Sequence, residues 1–271
     1  MIANKYLKNK KFGISSYSFI FGLLVIGFFT LSMINPKSQT KSYAPGEYLQ
    51  YSLSYGFITA GQGVMEVKDT LMDGKHLHQV IARGETTGLS DALFKVRDRY
   101  ESFINPVDYL PKKSVRSIRE GRYTYYDEVI YNHDSSYVVS QKTGVQKVPS
   151  RIQDILSAFY FARNFKFNDD LKKDEIIEIM TYFSNELFPL RFRYKGIDNI
   201  KTKFGRIECY KFSPVTEVGR SFASDDDMEI WISRDGNRIP IKIRFDLKVG
   251  SFTCELASFK NLVNPFSSIR N

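Results

Sequence analysis

The chain has 271 residues, of which 42% are hydrophobic and 25% charged, with 22 Phe, 17 Tyr and a single Trp. These proportions exclude a disordered or collagen-like chain, and the length suffices for one large or two small domains with a sizeable core. The net charge of +9 is concentrated at one end: residues 1–46 hold six lysines and no acid, and without them 33 basic residues face 30 acidic ones, a balance of +3. That remainder has no basic stripe to track phosphates, which argues against a nucleic-acid partner.

The first predicted element is N-terminal. Lys5, Lys8, Lys10 and Lys11 precede the apolar run Phe19 to Ile34, and Pro36 closes it. A basic stretch followed by an apolar one is the pattern of a signal peptide. As a helix the run spans about 24 Å, short of the roughly 30 Å hydrocarbon core, which favours a cleaved signal. An uncleaved anchor stays open. No charge interrupts Ile14 to Ile34, so residues 14–34 would provide the membrane contact, and Ser38 with Thr40 is only a fair cleavage site. Either reading exports the rest of the chain, because the excess of lysine before the run holds the N-terminus inside. Residues 1–41 are therefore expected to be a signal peptide or N-terminal membrane anchor, and residues 42–271 a single β-rich extracytoplasmic domain.

From Gly46 onward the pattern is of short alternating segments divided by turn residues, about a dozen candidate strands. Glu47 to Tyr55 alternates, and Gly56, Gly61 and Gly63 follow, glycines of the kind that mark bulges or close backbone approach. Further strands are expected at Leu77 to Thr86, Lys95 to Ile104, Tyr109 to Ile118, Tyr123 to Tyr131 and Tyr137 to Gln141. One segment differs: Ile152, Ile155, Leu156 and Phe159 have the i, i+3, i+4, i+7 spacing of a helix face. Ser150 with Gln153 forms a capping-box pattern, so a helix over about 150–165 is predicted. Strands resume at Glu175 to Phe183, Phe188 to Tyr194, Ile207 to Phe212 and Met228 to Ser233. Asp235-Gly236 then predicts a tight hairpin turn into Arg238 to Phe245, where Ile239, Ile241, Ile243 and Phe245 share one face and Pro240 marks an edge or a bulge. The expected fold is mainly β, an antiparallel curved sheet or open barrel with one packed helix. Cys209 and Cys254 sit in separate strand-like stretches, and their spacing leaves a disulfide and two buried thiols both open.

Three stretches together resemble one family: Gly46-Glu47-x-Leu49-x-Tyr51-x-Leu53-x-Tyr55-Gly56 with Ala60-Gly61; Asp154-Ile155-Leu156-Ser157-Ala158-Phe159-Tyr160-Phe161-Ala162-Arg163; and Trp231-x-Ser233-x-Asp235-x-x-Arg238-x-Pro240. In order and spacing they are similar to the exported bacterial family known as DUF3108, over roughly residues 46–260. The resemblance implies a bacterial cell-envelope location and a β-rich fold. It carries over no catalytic residues.

The candidate chemistry is sparse. His76 and His78 share one strand face, with His133 or Glu85 as distant partners, but a third metal ligand is missing nearby, and a polar strand face is the better reading. Asp225-Asp226-Asp227 lacks the looped spacing of a calcium site and is expected to be a solvated turn. Asp154 and Arg163 fall on opposite sides of the predicted helix, where each complements the nearer end of its dipole. Phosphate-cradling, nucleophile-elbow, zinc and dinucleotide motifs are all missing from the sequence, so no cofactor, metal or catalytic residue is assigned. Phe159, Tyr160, Phe161 and Trp231 are the candidates for lining a ligand cavity. The favoured expectation is a non-enzymatic envelope protein whose aromatic interior holds a lipid or other apolar small molecule. The alternatives are an assembly module that contacts another envelope protein or surface polymer, and a glycan- or wall-acting enzyme using paired carboxylates such as Glu85 with Asp98 or Glu101.

Overall fold

The computed structural model describes residues 41–215, 228–246 and 250–270, all within one compact unit, Gln39–Asn271. Residues 14–34 and Asp225 to Asp227 lie outside the described residues. Period-two patterning becomes two consecutive meanders. The first runs through β1 Tyr48–Tyr55, β2 Ile58–Met72, β3 Lys75–Thr86, the short helix α1 Gly88–Leu93, β4 Arg97–Ile104, β5 Pro111–Glu120, β6 Tyr123–Asn132, β7 Tyr137–Ser140 and β8 Gly144–Lys147. After α2 Ile155–Phe165, the second runs through β9 Ile176–Phe183, β10 Glu186–Thr202, β11 Gly205–Pro214, β12 Met228–Ser233, β13 Pro240–Asp246 and β14 Ser251–Lys260, with β15 Ile269–Arg270 added on β11.

Every ladder is antiparallel, and β1 pairs with β14, so the two meanders fuse into one sheet with β8 and β9 at its ends. The sheet is open but curls until those ends approach. Tyr182 and Met180 of β9 pack against Val129, Tyr131 and Val138 of β6 and β7, together with Val148 and Ile152. Between the ends, Gln153 donates its amide to Met180 and accepts from the amide of Tyr182, an isolated bridge in place of a full ladder.

That bridge moves the helix start. The predicted box at Ser150 and Gln153 does not form, because the Gln153 backbone is committed to β9 in extended conformation. The cap is Asp154, which accepts from the amides of Leu156 at 2.8 Å and Ser157 at 2.9 Å, while Ser157 Oγ accepts from the Asp154 amide at 2.9 Å. This is the reciprocal capping box, displaced by four residues. Ala158 and Ala162 lie one turn apart and fully buried, so α2 sits close on Ile177, Phe192, Phe212, Ile230 and Ile232. A second cluster, on the other face of β11 and β12, joins Leu49, Tyr51, Ile207, Trp231, Ile241 and Leu256.

The glycines behave as the sequence suggests. Leu53 pairs with Gly61 and Ser54 with Thr59, which leaves Ala60 as a bulge. Here a Cβ on Gly61 would stand 2.3 Å from the Glu85 carbonyl oxygen. The Asp235-Gly236 hairpin forms with a longer loop than a two-residue turn, because Asp235 Oδ1 accepts from Ser233 Oγ and the Asn237 amide and holds the connection open. The register shifts between Trp231, paired with Lys242, and Ile232, paired with Pro240, which leaves Ile241 as a bulge beside Pro240, and β13 is an interior strand. That bulge breaks the expected alternation, so Ile239 and Ile241 join the Trp231 cluster while Ile243 turns to the opposite one. Both cysteines are free, Cys209 on β11 and Cys254 on β14.

Candidate functional site

The three family-like stretches meet at one buried group. Arg163, in the last turn of α2, donates from Nη1 and Nη2 to the two carboxylate oxygens of Glu47, each at 2.7 Å, with both side chains 0% exposed. Its Nε and Nη2 also donate to the Asn237 carbonyl, at 3.1 and 2.9 Å, and Nη2 to the Ser42 carbonyl at 2.9 Å. Arg238 Nη1 donates to Ser42 Oγ and to the Arg163 carbonyl. The rings of Tyr160 and Tyr43 lie 4.8 and 5.7 Å from the guanidinium. Burial opposes the charge, and the Glu47 carboxylate restores it, so that Arg163 is held above the ordinary arginine range. Arg163 therefore does more than complement the helix dipole, and Arg238 bonds to the helix end. This cluster is sealed, and its chemistry is that of a clasp joining the chain entry, α2 and the β12–β13 loop.

The four predicted cavity residues separate. Tyr160 is fully buried in the clasp, with the Tyr43 ring 4.5 Å away. Phe159 packs beside it and Phe161 lies 4.9 Å from Phe165. Trp231 points to the other face of β12, where Nε1 donates to Asp198 Oδ2 at 2.9 Å and the Lys211 ammonium sits 5.1 Å from the ring. The polar candidates separate as well. His76 faces Asp69 in the open, whereas His78 is buried edge-on to Tyr43, its pKa lowered chiefly by desolvation. Among the described residues no cluster of three or more His, Cys, Asp or Glu can hold a metal ion. The proposed carboxylate pairs do not assemble either: Glu85 faces Arg97, Glu101 bonds to Arg99 and Gln79, and Asp98 accepts from the Arg119 amide.

Sequence reasoning missed a small cleft of about 50 Å³ between β4 to β6, the start of α2 and the β9–β10 turn. Arg116 of β5 reaches into it. Its guanidinium lies 5.8, 4.9 and 4.8 Å from the rings of Tyr100, Tyr125 and Phe183, and Nη1 donates to Ser184 Oγ at 2.6 Å. The only sequence signal is a cation on the same strand face as Ser114 and Ile118. Asp154 lines the cleft with its carboxyl buried, accepting from Ser102 Oγ at 2.6 Å as well as from the helix amides. Desolvation raises its pKa against those bonds.

One end of the sheet is apolar on the outside. Phe57, at the β1–β2 turn, is fully exposed, and Ile58, Leu89, Leu93 and Phe94 each expose more than half of their surface. The Thr87 amide donates to the Ala60 carbonyl at 3.1 Å, which ties α1 to that turn. Leu89 and Leu93 lie one helical turn apart and so share a side.

No curated protein matches the chain. Among solved structures, the chain is similar to the beta-barrel-like protein of domain of unknown function DUF1849 from Brucella abortus, with a TM-score of 0.52 and 9% identity over 79% of this chain and 96% of that one. At that identity the likeness shows the fold alone. A DUF1089 family protein from Pseudomonas aeruginosa aligns with a TM-score of 0.40 and 10% identity over 69% of this chain and 90% of that one. The family model described as protein of unknown function DUF3108 matches residues 50–257, most of the domain built around the Arg163 clasp, and the chain belongs to that family.

Proposed function

We propose that this is an exported protein of the bacterial cell envelope, periplasmic or membrane-anchored, that acts as a docking module for another envelope protein. The observation that carries the reading is the exposed apolar end formed by Phe57, Ile58, Leu89, Leu93 and Phe94. Large exposed apolar side chains in such number, with an aromatic one at the β1–β2 turn, are characteristic of interaction sites. The lipid-holding interior has less support, because Phe159 and Tyr160 pack against neighbouring rings and Trp231 faces elsewhere. The small cleft is also an order of magnitude below the roughly 300–1,000 Å³ of drug-sized ligand pockets.

The test is photo-crosslinking in the native envelope from positions 57 and 93, with exposed position 147 on β8 as control. The expected result is one adduct of common, discrete mass from 57 and 93, absent from 147 and lost when the neighbouring Leu89 and Ile58 are both changed to Ser. Native mass spectrometry of the full chain showing a stoichiometric bound lipid, with no position-specific adduct, would overturn the reading in favour of a lipid carrier.

A further inference from the structure

The cleft beside α2 contains a cation that no acid pairs with directly among the described residues. Arg116 forms no ion pair among the described residues, and its Nε is buried with no hydrogen-bond partner there. Three aromatic rings surround the guanidinium, an arrangement that stabilises the charge without neutralising it. Lys142 stands over the Tyr125 ring at 5.0 Å, and it too makes no ion pair among the described residues. The acids of the lining, by contrast, are already engaged. Asp127 accepts from Ser140 Oγ at 3.0 and 2.9 Å, from the Lys142 amide at 3.2 Å and from Tyr125 Oη at 3.4 Å. Asp154 accepts from Ser102, Leu156 and Ser157, and Glu101 pairs with Arg99.

We propose that this cleft receives the carboxylate end of a small organic molecule, with Arg116 as the anion-binding group and Tyr100, Tyr125 and Phe183 as the walls that flank its stem. Guanidinium presents paired donors that match a carboxylate, and a bond between two charged groups is about twice as strong as one between neutral groups. The cleft volume of about 50 Å³ suits an end group rather than a whole ligand. Asp127 stands directly across the ladder from Arg116, and Asp154 lines the same cleft. Each negative charge on a ligand therefore meets like charge there, and a monoanion is opposed less than a dianionic phosphate. Ser184 and Asn185 at the β9–β10 turn both have left-handed backbone, φ 53° and 67°. That turn closes the cleft by bonding Arg116 through Ser184, and Tyr125, Ser140 and Thr143 through Asn185. The site is separate from the apolar end, and neither proposal depends on the other.

The experiment is a nuclear magnetic resonance titration of the full chain in detergent with sodium benzoate, uncharged benzamide and inorganic phosphate. It follows the Arg116 Nε–H signal and the amides of Ser184 and Asn185. Benzoate is expected to give saturable shifts at all three, with benzamide at least about tenfold weaker, the loss of one charge-assisted contact. Arg116→Gln should weaken benzoate by a similar factor while thermal unfolding stays cooperative. Should that variant not fold, Lys142→Gln, at an exposed position, serves instead and is expected to weaken benzoate about threefold at low salt. Benzamide binding as well as benzoate would make the cleft a plain apolar pocket and overturn the proposal. Tighter binding of phosphate than of benzoate would overturn the monoanion assignment, and no shift at Arg116 with benzoate at tens of millimolar would leave the aromatic cage a purely structural feature.

Discussion

Arg163 and Glu47, 116 residues apart in the chain, form a two-pronged ion pair at 2.7 Å on each side with no solvent exposure. Removing one partner strands a buried charge, whereas replacing both removes the desolvation cost along with the attraction. Glu47→Ala is therefore expected to lower unfolding stability by about 3–5 kcal/mol. The Glu47→Leu, Arg163→Met double variant should lose clearly less than either single change. Urea denaturation of the wild type, Glu47→Ala, the single changes Glu47→Leu and Arg163→Met, and the double variant measures both. Equal loss in the double and single variants would show that the clasp acts through its backbone contacts to Ser42 and Asn237 instead.

Asp154 predicts a pH dependence. Burial raises its folded pKa above the usual carboxylate value of 3.8, outweighing the bonds from Ser102, Ser157 and Leu156. A raised folded pKa means that the folded state holds the proton more tightly than the unfolded one. The stabilisation is complete below the unfolded value and is lost as pH rises through the folded value. Asp154→Asn keeps a capping oxygen and stays neutral, so its stability relative to wild type should increase from pH 3.5 to pH 7. Asp154→Ala loses the cap and should fall by about 1 kcal/mol at neutral pH. Thermal unfolding across that range distinguishes these outcomes.

Gly61 and Gly84 provide a paired test on one hairpin. A Cβ at Gly61 would lie 2.3 Å from the Glu85 carbonyl oxygen, while nothing stands within 4 Å of one at Gly84. Gly61→Ala must push β2 away from β3 and is expected to cost about 3 kcal/mol. Gly84→Ala should be neutral or stabilise by roughly 0.5 kcal/mol through the unfolded chain. Chemical denaturation of the two variants separates a steric requirement from a general dislike of side chains there.

The thiols should be inert in the folded protein. Burial pushes Cys209 far above the ordinary thiol range and Cys254 up to about 12. Since the thiolate is the reactive form, neither is expected to label with iodoacetamide at pH 8 under native conditions. Both should label fully after denaturation without reductant, because both are free. Mass spectrometry of the labelled chain reads the count directly, and protection that persists after denaturation until a reductant is added would instead reveal a disulfide.

Much of the fold was legible in local pattern. Ile239 and Ile241 are both fully buried on one side, as their spacing suggests, although the bulge at Ile241 turns Ile243 to the opposite cluster; the spacing of Ile155, Leu156 and Phe159 became α2, and the glycine at 61 marked a bulge with a close backbone approach. The helix start was misplaced because Gln153 spends its backbone bonds on β9, a partner 27 residues further along. Trp231 shows the same limit. Its strand was evident, but which cluster its ring joins depends on the register with β11 and on burial of both faces of β12.

What the sequence by itself determined is most of the strands, the helix α2, their order and an N-terminal region set apart by charge and apolarity, while the short helix α1 and the strands β8 and β15 were not marked. These properties follow from periodicities of two or 3.6 residues and from turn chemistry, all of which act within a few residues of the chain. What only the tertiary structure decided is which polar groups meet: Arg163 with Glu47 across 116 residues, and Arg116 with Ser184 across 68. Those meetings depend on strand register and on the curl that brings β9 back towards β6. Small bends summed over many strands set that geometry, and no short stretch of sequence encodes it.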